Sequence, residues 1–408
     1  MLLYNLIISL YATVLKMLSP FHKKAGLMLR GQGQTNEILR RGIDPKADYI
    51  WFHASSLGEF EQGRPMMERI KAEYPTWKIL LTFFSPSGYE VRKDYKGADV
   101  VCYLPFDTPK RVSTFLDLAR PKVAVFIKYE FWMNYLSQTK ARDIPIYIIS
   151  AIFRPEQAFF RWYGSFYRKA LHCFSHLFVQ DKASQALLAS IGIENVSVCG
   201  DTRFDRVLDI RQEAQDIAEI EPFLDKNKTI LIAGSSWQED EAFLIPYFNE
   251  HPNLKLILAP HEIHEAHLLH IEALLKRPAV RFKGASKEQL SAADCVIINC
   301  FGQLASIYRY GQIAYIGGGF RDGIHNTLEA AVYGIPVLFG PNYQKFKEAV
   351  DLLQLGGGFS VSNQAEFIDT MDKLLANTSL QKESGEKART YVHANAGVTE
   401  KIMKHLGY

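Results

Sequence analysis

Several absences narrow the reading of this 408-residue chain before any motif is weighed. Cysteine is scarce and scattered: Cys102, Cys173, Cys199, Cys295 and Cys300 form no C-x-x-C pair and are odd in number. That excludes a disulfide framework and a cysteine zinc site, and suits a reducing compartment. No Asp-x-Asp pair occurs, which disfavours a donor diphosphate bridged by a metal. The G-x-x-x-x-G-K-[ST] phosphate loop and the H-E-x-x-H zinc helix are absent as well. Surplus charge is small: a formal net charge of +3 gives no argument for a nucleic-acid partner. There is no short repeat and no low-complexity tract.

What is present is the composition of a folded protein, 48% hydrophobic and 22% charged, at a length that suits two domains. The N-terminus differs from the rest. Residues 1–22 open with an apolar run ending at Pro20, followed by Lys23 and Lys24. About 18 helical residues reach ~27 Å, the lower limit for crossing a bilayer core. Asn5, Ser9, Thr13 and Lys16 recur at helical spacing, a polar stripe that favours a membrane-associated helix lying in the interface. A core helix of the first domain is the alternative. A signal peptide is disfavoured, since no basic segment precedes the run and no small-x-small site follows it. The basic residues downstream put the body of the protein on the cytoplasmic side of such a membrane.

Beyond residue 22, short β-rich apolar runs alternate with amphipathic helical patterns. The first series is YIWFH, KILLTFF, VVCYLPF, VAVFIK, IPIYIIS, HLFVQ and VSVCG; the second is TILIAGS, LKLILAP, VRF, CVIIN, IAYIGGG and PVLFG. Such alternation predicts parallel sheets covered on both faces. A polar segment around residues 205–226 separates the two series. The fold class expected is therefore α/β, with two facing, Rossmann-like, doubly wound domains: residues 23–210, and residues 211–408 closed by a polar C-terminal packing helix. Ligands of such sheets bind at the carboxyl ends of the strands, so motifs at strand-to-helix turns carry the weight.

Five turns qualify. In HASSLGEF, Ser56 offers a hydroxyl or a cap, Gly58 permits close backbone approach, and Glu59 falls in the first helical turn. Glu59 is either a macrodipole partner or a general base. Glu130, in KYEFWMN, stands just beyond another apolar strand, and two carboxylates at one sheet edge suit proton abstraction and positioning. Ser235 and Ser236 in AGSSWQEDE can hold a phosphate or simply cap a helix. Gly317, Gly318 and Gly319 end a strand, and residues 326–333 read as a helix carrying Asn326 and Glu329. That segment suits a nucleotide clamp, with the glycine loop facing phosphate and Glu329 taking ribose hydroxyls. Arg203 in GDTRFD is a candidate oxyanion fork or a plain surface arginine. His261, in APHEIHEAH, sits at a strand end with no metal-binding spacing around it.

Together, WFHASSLGEF, KYEFWMN, GDTRFD, AGSSW, APH and GGGFRDGIHNTLEAAVYGIPVLFGPNYQKF resemble the 3-deoxy-D-manno-octulosonic acid (Kdo) transferases of lipopolysaccharide synthesis. The resemblance implies a GT-B glycosyltransferase of the inner membrane that moves Kdo with inversion from CMP-Kdo to a lipid A precursor, lipid IVA, without metal or other cofactor. It puts the catalytic glutamate on Glu59, a second acidic position on Glu130, and the nucleotide contacts on Asn326 and Glu329. Three departures concern the donor side. Gly-Asp-Thr-Arg-Phe-Asp stands where the family shows Gly-Asn-Lys-Phe-Asp, Pro260-His261-Glu262 stands where it shows Pro-Arg-His, and the Gly-Gly-Ser loop ends in Gly319 and Phe320. Two other readings fit the layout: a UDP-N-acetylglucosamine 2-epimerase, and a non-catalytic nucleotide-sugar-binding membrane protein.

Overall fold

The computed structural model describes residues 1–214 and 216–407. The chain divides into two units, Met1–Arg206 with Ala396–Tyr408, and Val207–Asn395.

In the first unit, strands β1 (Tyr49–Ala54), β2 (Lys78–Phe83), β3 (Val100–Tyr103), β4 (Val123–Ile127), β5 (Ile146–Ala151), β6 (His176–Val179) and β7 (Val196–Val198) form one parallel sheet in the order β3-β2-β1-β4-β5-β6-β7. Every residue of β1 is buried, as a central strand covered on both faces requires. Trp51 anchors one side of the sheet, its ring 5.0 Å from Phe115 and 5.1 Å from Phe126. The order reverses direction between β1 and β4. The loops leaving these two strands therefore flank the switch point, where a doubly wound sheet opens a crevice.

The second unit repeats the plan with β8 (Thr229–Ser236), β9 (Leu254–Pro260), β10 (Ala279–Arg281), β11 (Cys295–Ile297), β12 (Ile313–Ile316), β13 (Val337–Phe339) and β14 (Gly358–Ser360), ordered β10-β11-β9-β8-β12-β13-β14. Its switch point lies between β8 and β12. Phe243, Tyr315 and Phe367 meet edge-on or tilted in its core.

Two expectations change here. The C-terminal tail is two helices, Thr378–Ala394 and Val398–Leu406, broken at Gly397, whose φ of 81° suits glycine. The second of these belongs to the first unit, not to the domain that precedes it in sequence. Val398, Ile402 and Met403 join the core cluster of Phe60, Ile127 and Phe178. Asp205 caps this helix from 192 residues earlier in the chain: Oδ1 accepts from Gly397 N at 2.6 Å, and Oδ2 accepts from Thr399 N at 2.6 Å.

At the N-terminus, α1 (Leu2–Leu18) packs a half-buried row of Tyr4, Ile8, Ala12 and Leu15 on the first unit. Tyr4 Oη donates to Asp107 at 2.6 Å, and Asn134 Nδ2 donates to Asn5 at 2.9 Å. Asn5, read as part of an outward polar stripe, thus lies on the docked face. The helix turns Leu3, Leu6, Ile7, Leu10, Val14 and Met17 outward. A second helix, α2 (Lys23–Gly42), follows after a bend of 118°. Among the described residues, no single helix is long and apolar enough to cross a membrane; α1 and α2 meet that test of length and composition only as a bent pair.

Candidate functional site

The β1 turn delivers Glu59 to the switch point of the first sheet. Chain reversal after Ala54 leads through Ser55 to Ser56, the N-cap of the helix Leu57–Glu73 (α3), with Glu59 at its third position. The two stand in a capping box, in which Oε2 of Glu59 accepts from Ser56 N at 3.1 Å and from the Ser56 hydroxyl. Oε1 carries no hydrogen bond among the described residues. Both readings of Glu59 thus survive in one side chain, since only one of its two oxygens closes the helix end. Gly63 lets α3 sit tightly on β4, since a Cβ there would fall 2.4 Å from Ile127 Cδ1. Gly58 differs. It is exposed, and a Cβ on it would meet nothing nearer than Ser56 Oγ at 3.8 Å. The fold itself does not require a glycine there.

Glu130 lies at the end of β4 and is nine-tenths buried. Trp132 Nε1 donates to its Oε2 at 2.6 Å, His53 Nε2 lies 3.2 Å from the same oxygen, and the Ser55 hydroxyl bonds it as well. Burial pushes the carboxyl pKa up, but these hydrogen bonds outweigh it and hold the group below the usual carboxylate range. Sequence reasoning missed His53, and the sheet register explains its place. Pairing of β1 with β2 sets His53 beside Thr82, whose Oγ1 lies 2.9 Å from His53 Nδ1 and accepts from Trp51 Nε1 at 2.8 Å. Trp51, Thr82, His53 and Glu130 thus form one buried line of polar contacts that ends on the Glu130 carboxylate. A histidine in an otherwise apolar, fully buried strand was the available signal, because a buried polar ring demands partners.

Beyond β7, Asp201 is buried and takes both amide hydrogen bonds of Gln62, at 3.0 and 3.1 Å. Burial raises its pKa, but the Arg203 charge and hydrogen bonds lower it further than that, leaving it below the usual range. Arg203, expected to reach an oxyanion, engages Asp201 through Nε and Nη2, both at 2.9 Å. Tyr129, beside Glu130 in sequence, is 38% exposed. Burial pushes its hydroxyl above the usual phenol range against the pull of Arg154 and Arg203, while Asp201 and Glu59 add to the rise. The charges of two arginines and two carboxylates therefore reach this hydroxyl. Tyr129 and Arg154 were not singled out from the sequence.

At the switch point of the second sheet the structure corrects part of the clamp. Ser236 is fully buried and its hydroxyl donates to Glu241 at 2.8 Å, so this hydroxyl is not offered to a phosphate. The glycine loop is also largely self-satisfied. Gly317 N donates to Gly234 O at 2.9 Å, and Gly318 N donates to Asp240 Oδ2 at 3.0 Å. Gly317 and Gly319 are packing glycines: a Cβ would lie 2.2 Å from Ser235 O in one case and 2.6 Å from Gly340 in the other. Ser235 takes a positive φ of 53°. The helix expected over residues 326–333 is a single turn, Leu328–Ala331. Ahead of it, Asn326 Oδ1 accepts from Leu328 N at 3.2 Å, and Asn326 Nδ2 donates to Glu329 Oε1 at 3.1 Å. The two residues expected to hold the nucleotide are thus bonded to each other.

His261, at the end of β9, is exposed and stacks at 4.5 Å on both Trp237 and His325, and the Arg321 guanidinium covers the Trp237 ring at 4.2 Å. Burial, with His261 beside it, depresses the pKa of His325 to about 4, so its ring is neutral at ordinary pH. Among the described residues, no three His, Cys, Asp or Glu side chains gather as a metal site would need.

Comparison with known proteins gives this geometry a family. Residues 26–206 match the family model described as 3-deoxy-D-manno-octulosonic-acid transferase (kdotransferase). The chain is 30% identical over 342 residues to the 3-deoxy-D-manno-octulosonic acid transferase of Aquifex aeolicus, covering 82% of this chain and 87% of that one. It is 27% identical over 375 residues to the transferase of the same name from Haemophilus influenzae, covering 88% and 86%. Among solved structures, UDP-GlcNAc 2-epimerase from Neisseria meningitidis superposes with a TM-score of 0.63 at 15% identity, over 88% of this chain and 99% of that one. That likeness shows a shared GT-B-like α/β fold and nothing of the reaction. The sequence relatives decide the chemistry: the chain belongs to the 3-deoxy-D-manno-octulosonic acid transferase family, and is a glycosyltransferase that transfers Kdo in lipopolysaccharide biosynthesis.

Proposed function

We propose that the donor is CMP-Kdo, that the acceptor is the lipid A precursor lipid IVA, and that transfer proceeds with inversion, Glu59 acting as general base. The observation that carries this is the divided Glu59 carboxylate. Oε2 is fixed by Ser56 and orients the group, while Oε1 has no hydrogen bond among the described residues and is left to take the acceptor hydroxyl's proton as that oxygen attacks the anomeric carbon. The C–O bond to the CMP phosphate breaks as the new glycosidic bond forms, and CMP leaves with the electron pair. The glycine at position 58, which the fold does not require, fits an approach by substrate to this turn. Glu130, held ionised by His53, Trp132 and Ser55, stabilises positive charge developing on the sugar. Asn326 and Glu329 exchange their mutual hydrogen bond for the ribose hydroxyls, and His261 lines the donor side.

The outward apolar face of α1, with Lys16 in its last turn and Lys23, Lys24 and Arg30 after it, supports a helix lying in the cytoplasmic face of the inner membrane, where the lipid acceptor resides. The reaction is tested by incubating the full-length protein with CMP-Kdo and tetra-acylated lipid A precursor and analysing the lipid by mass spectrometry and NMR. A lipid bearing Kdo with the anomeric configuration opposite to the donor's supports the proposal. Retention of configuration, or donor consumed with the lipid unchanged, overturns it.

A further inference from the structure

Trp162 is 91% exposed, the highest value among the described large hydrophobic residues, and Tyr163 and Tyr167 beside it are 53% and 44% exposed. Tyr167 packs its ring on Phe159 and Phe166, whereas among the described residues Trp162 and Tyr163 have ring contacts only with each other. The turn that presents them is tight and well bonded: Arg161 N donates to Ala158 O, Gly164 N donates to Arg161 O, and a Cβ on Gly164 would lie 2.2 Å from Ala158 O. Its base is an aromatic cluster in which Phe159 meets Phe131 and Phe153 at 4.8 and 6.0 Å. The two aromatics are thus held out on a rigid support, which reduces the entropy lost when they are buried against a partner.

The partner's chemistry follows from charge and position. Residues 157–180 contain no Asp or Glu, while Arg161, Arg168 and Lys169 flank the exposed rings. Residues 1–36 are likewise free of acidic residues and carry Lys16, Lys23, Lys24 and Arg30. These two acid-free segments meet in the fold: the Phe166 ring lies 6.0 Å from that of Tyr4 on the docked face of α1. Aromatic rings flanked by cations, next to an apolar helix face, match the interfacial layer of a bilayer rich in anionic headgroups. We infer that the turn around Trp162 and Tyr163 is a second bilayer contact of the first unit, inserting its rings at headgroup level beside α1 and fixing the orientation of that unit on the membrane. The inference rests on the reading of α1 as an interfacial helix.

The test uses full-length protein and vesicles of phosphatidylethanolamine and phosphatidylglycerol, with phosphatidylcholine vesicles as the uncharged control. Brominated acyl chains quench tryptophan at the interface, and the difference between wild type and Trp162→Phe isolates the signal of Trp162. The inference predicts quenching that disappears in Trp162→Phe. It also predicts vesicle binding about 10-fold weaker in Trp162→Ser/Tyr163→Ser, with a greater loss on the anionic vesicles when Arg168 and Lys169 become glutamine. Wild-type binding without quenching of Trp162 overturns it, as does self-association that the serine variant relieves. A separate variant, Leu6→Lys/Leu10→Lys, tests α1: unchanged vesicle binding there refutes the α1 reading. Loss of binding there with full binding by the serine variant refutes only the second contact.

Discussion

Replacing Glu59 by glutamine separates the two tasks its carboxylate performs. Glutamine at the third helical position keeps a side-chain oxygen for Ser56 N and the Ser56 hydroxyl, the two bonds that Oε2 makes, so the capping box survives. The proton-accepting carboxylate does not. General-base catalysis is worth about 10²–10⁴-fold, or roughly 3–5 kcal/mol of barrier, and Glu59→Gln is expected to lose that much turnover. Its unfolding free energy should stay within about 0.5 kcal/mol of wild type. Glu59→Ala loses both, and its missing cap should cost about 1 kcal/mol of stability. Ser56→Ala completes the comparison, with a similar loss of stability and turnover reduced far less than in Glu59→Gln. Turnover is read as Kdo-lipid formed at saturating donor, and stability as urea unfolding of each variant. Glu59→Gln working within tenfold of wild type would refute the base assignment and leave Glu59 a helix cap.

Asp205→Ala removes the cap of the last helix, which bonds Gly397, Val398 and Thr399 N–H groups. At about 2 kcal/mol, exchange of amide hydrogens in Val398–Leu406 should quicken ~30-fold while β1 stays protected; unchanged exchange would deny the cap. Glu329→Ala should weaken CMP-Kdo binding by at least about tenfold, measured by calorimetry, and equal affinity would reject its nucleotide role. In the first unit, burial and the neighbouring His405 ring, 4.0 Å away, depress the pKa of His176 to about 4. A base depressed in the folded state is protonated first in the unfolded chain. Stability is therefore whole above pH ~6.5 and falls as pH drops toward about 4. His405→Gln should flatten that acid limb in urea unfolding, and an unaltered limb would show that the ring pair does not set it.

Much of this arrangement is legible in the sequence because its physical causes are local. Runs such as YIWFH and TILIAGS are too apolar and too β-branched or aromatic to be anything but buried strands, and both sheets follow from their alternation with helices. The edge strand Gly358–Ser360 escaped because three glycines precede its one large apolar residue, Phe359. Local signals also placed Glu59 and Glu130 beyond their strands. The His53–Thr82 contact was out of reach, because it depends on the register between β1 and β2, which no short motif encodes. The glycine loop is ambiguous for a related reason. A glycine needed for backbone packing, as Gly319 is against Gly340, reads the same as one needed for a phosphate. The final Asp of GDTRFD turned out to serve a helix 192 residues away, a role that only the three-dimensional fold reveals.

The central claim is that this chain moves Kdo from a cytidine-activated donor onto a lipid acceptor. The most direct measurement is CMP release by the full-length protein from CMP-Kdo, with and without tetra-acylated lipid A precursor. Release that depends on the lipid and matches Kdo-lipid formed mole for mole is the predicted result. Release at the same rate without the lipid, or none with intact CMP-Kdo and lipid present, would contradict it.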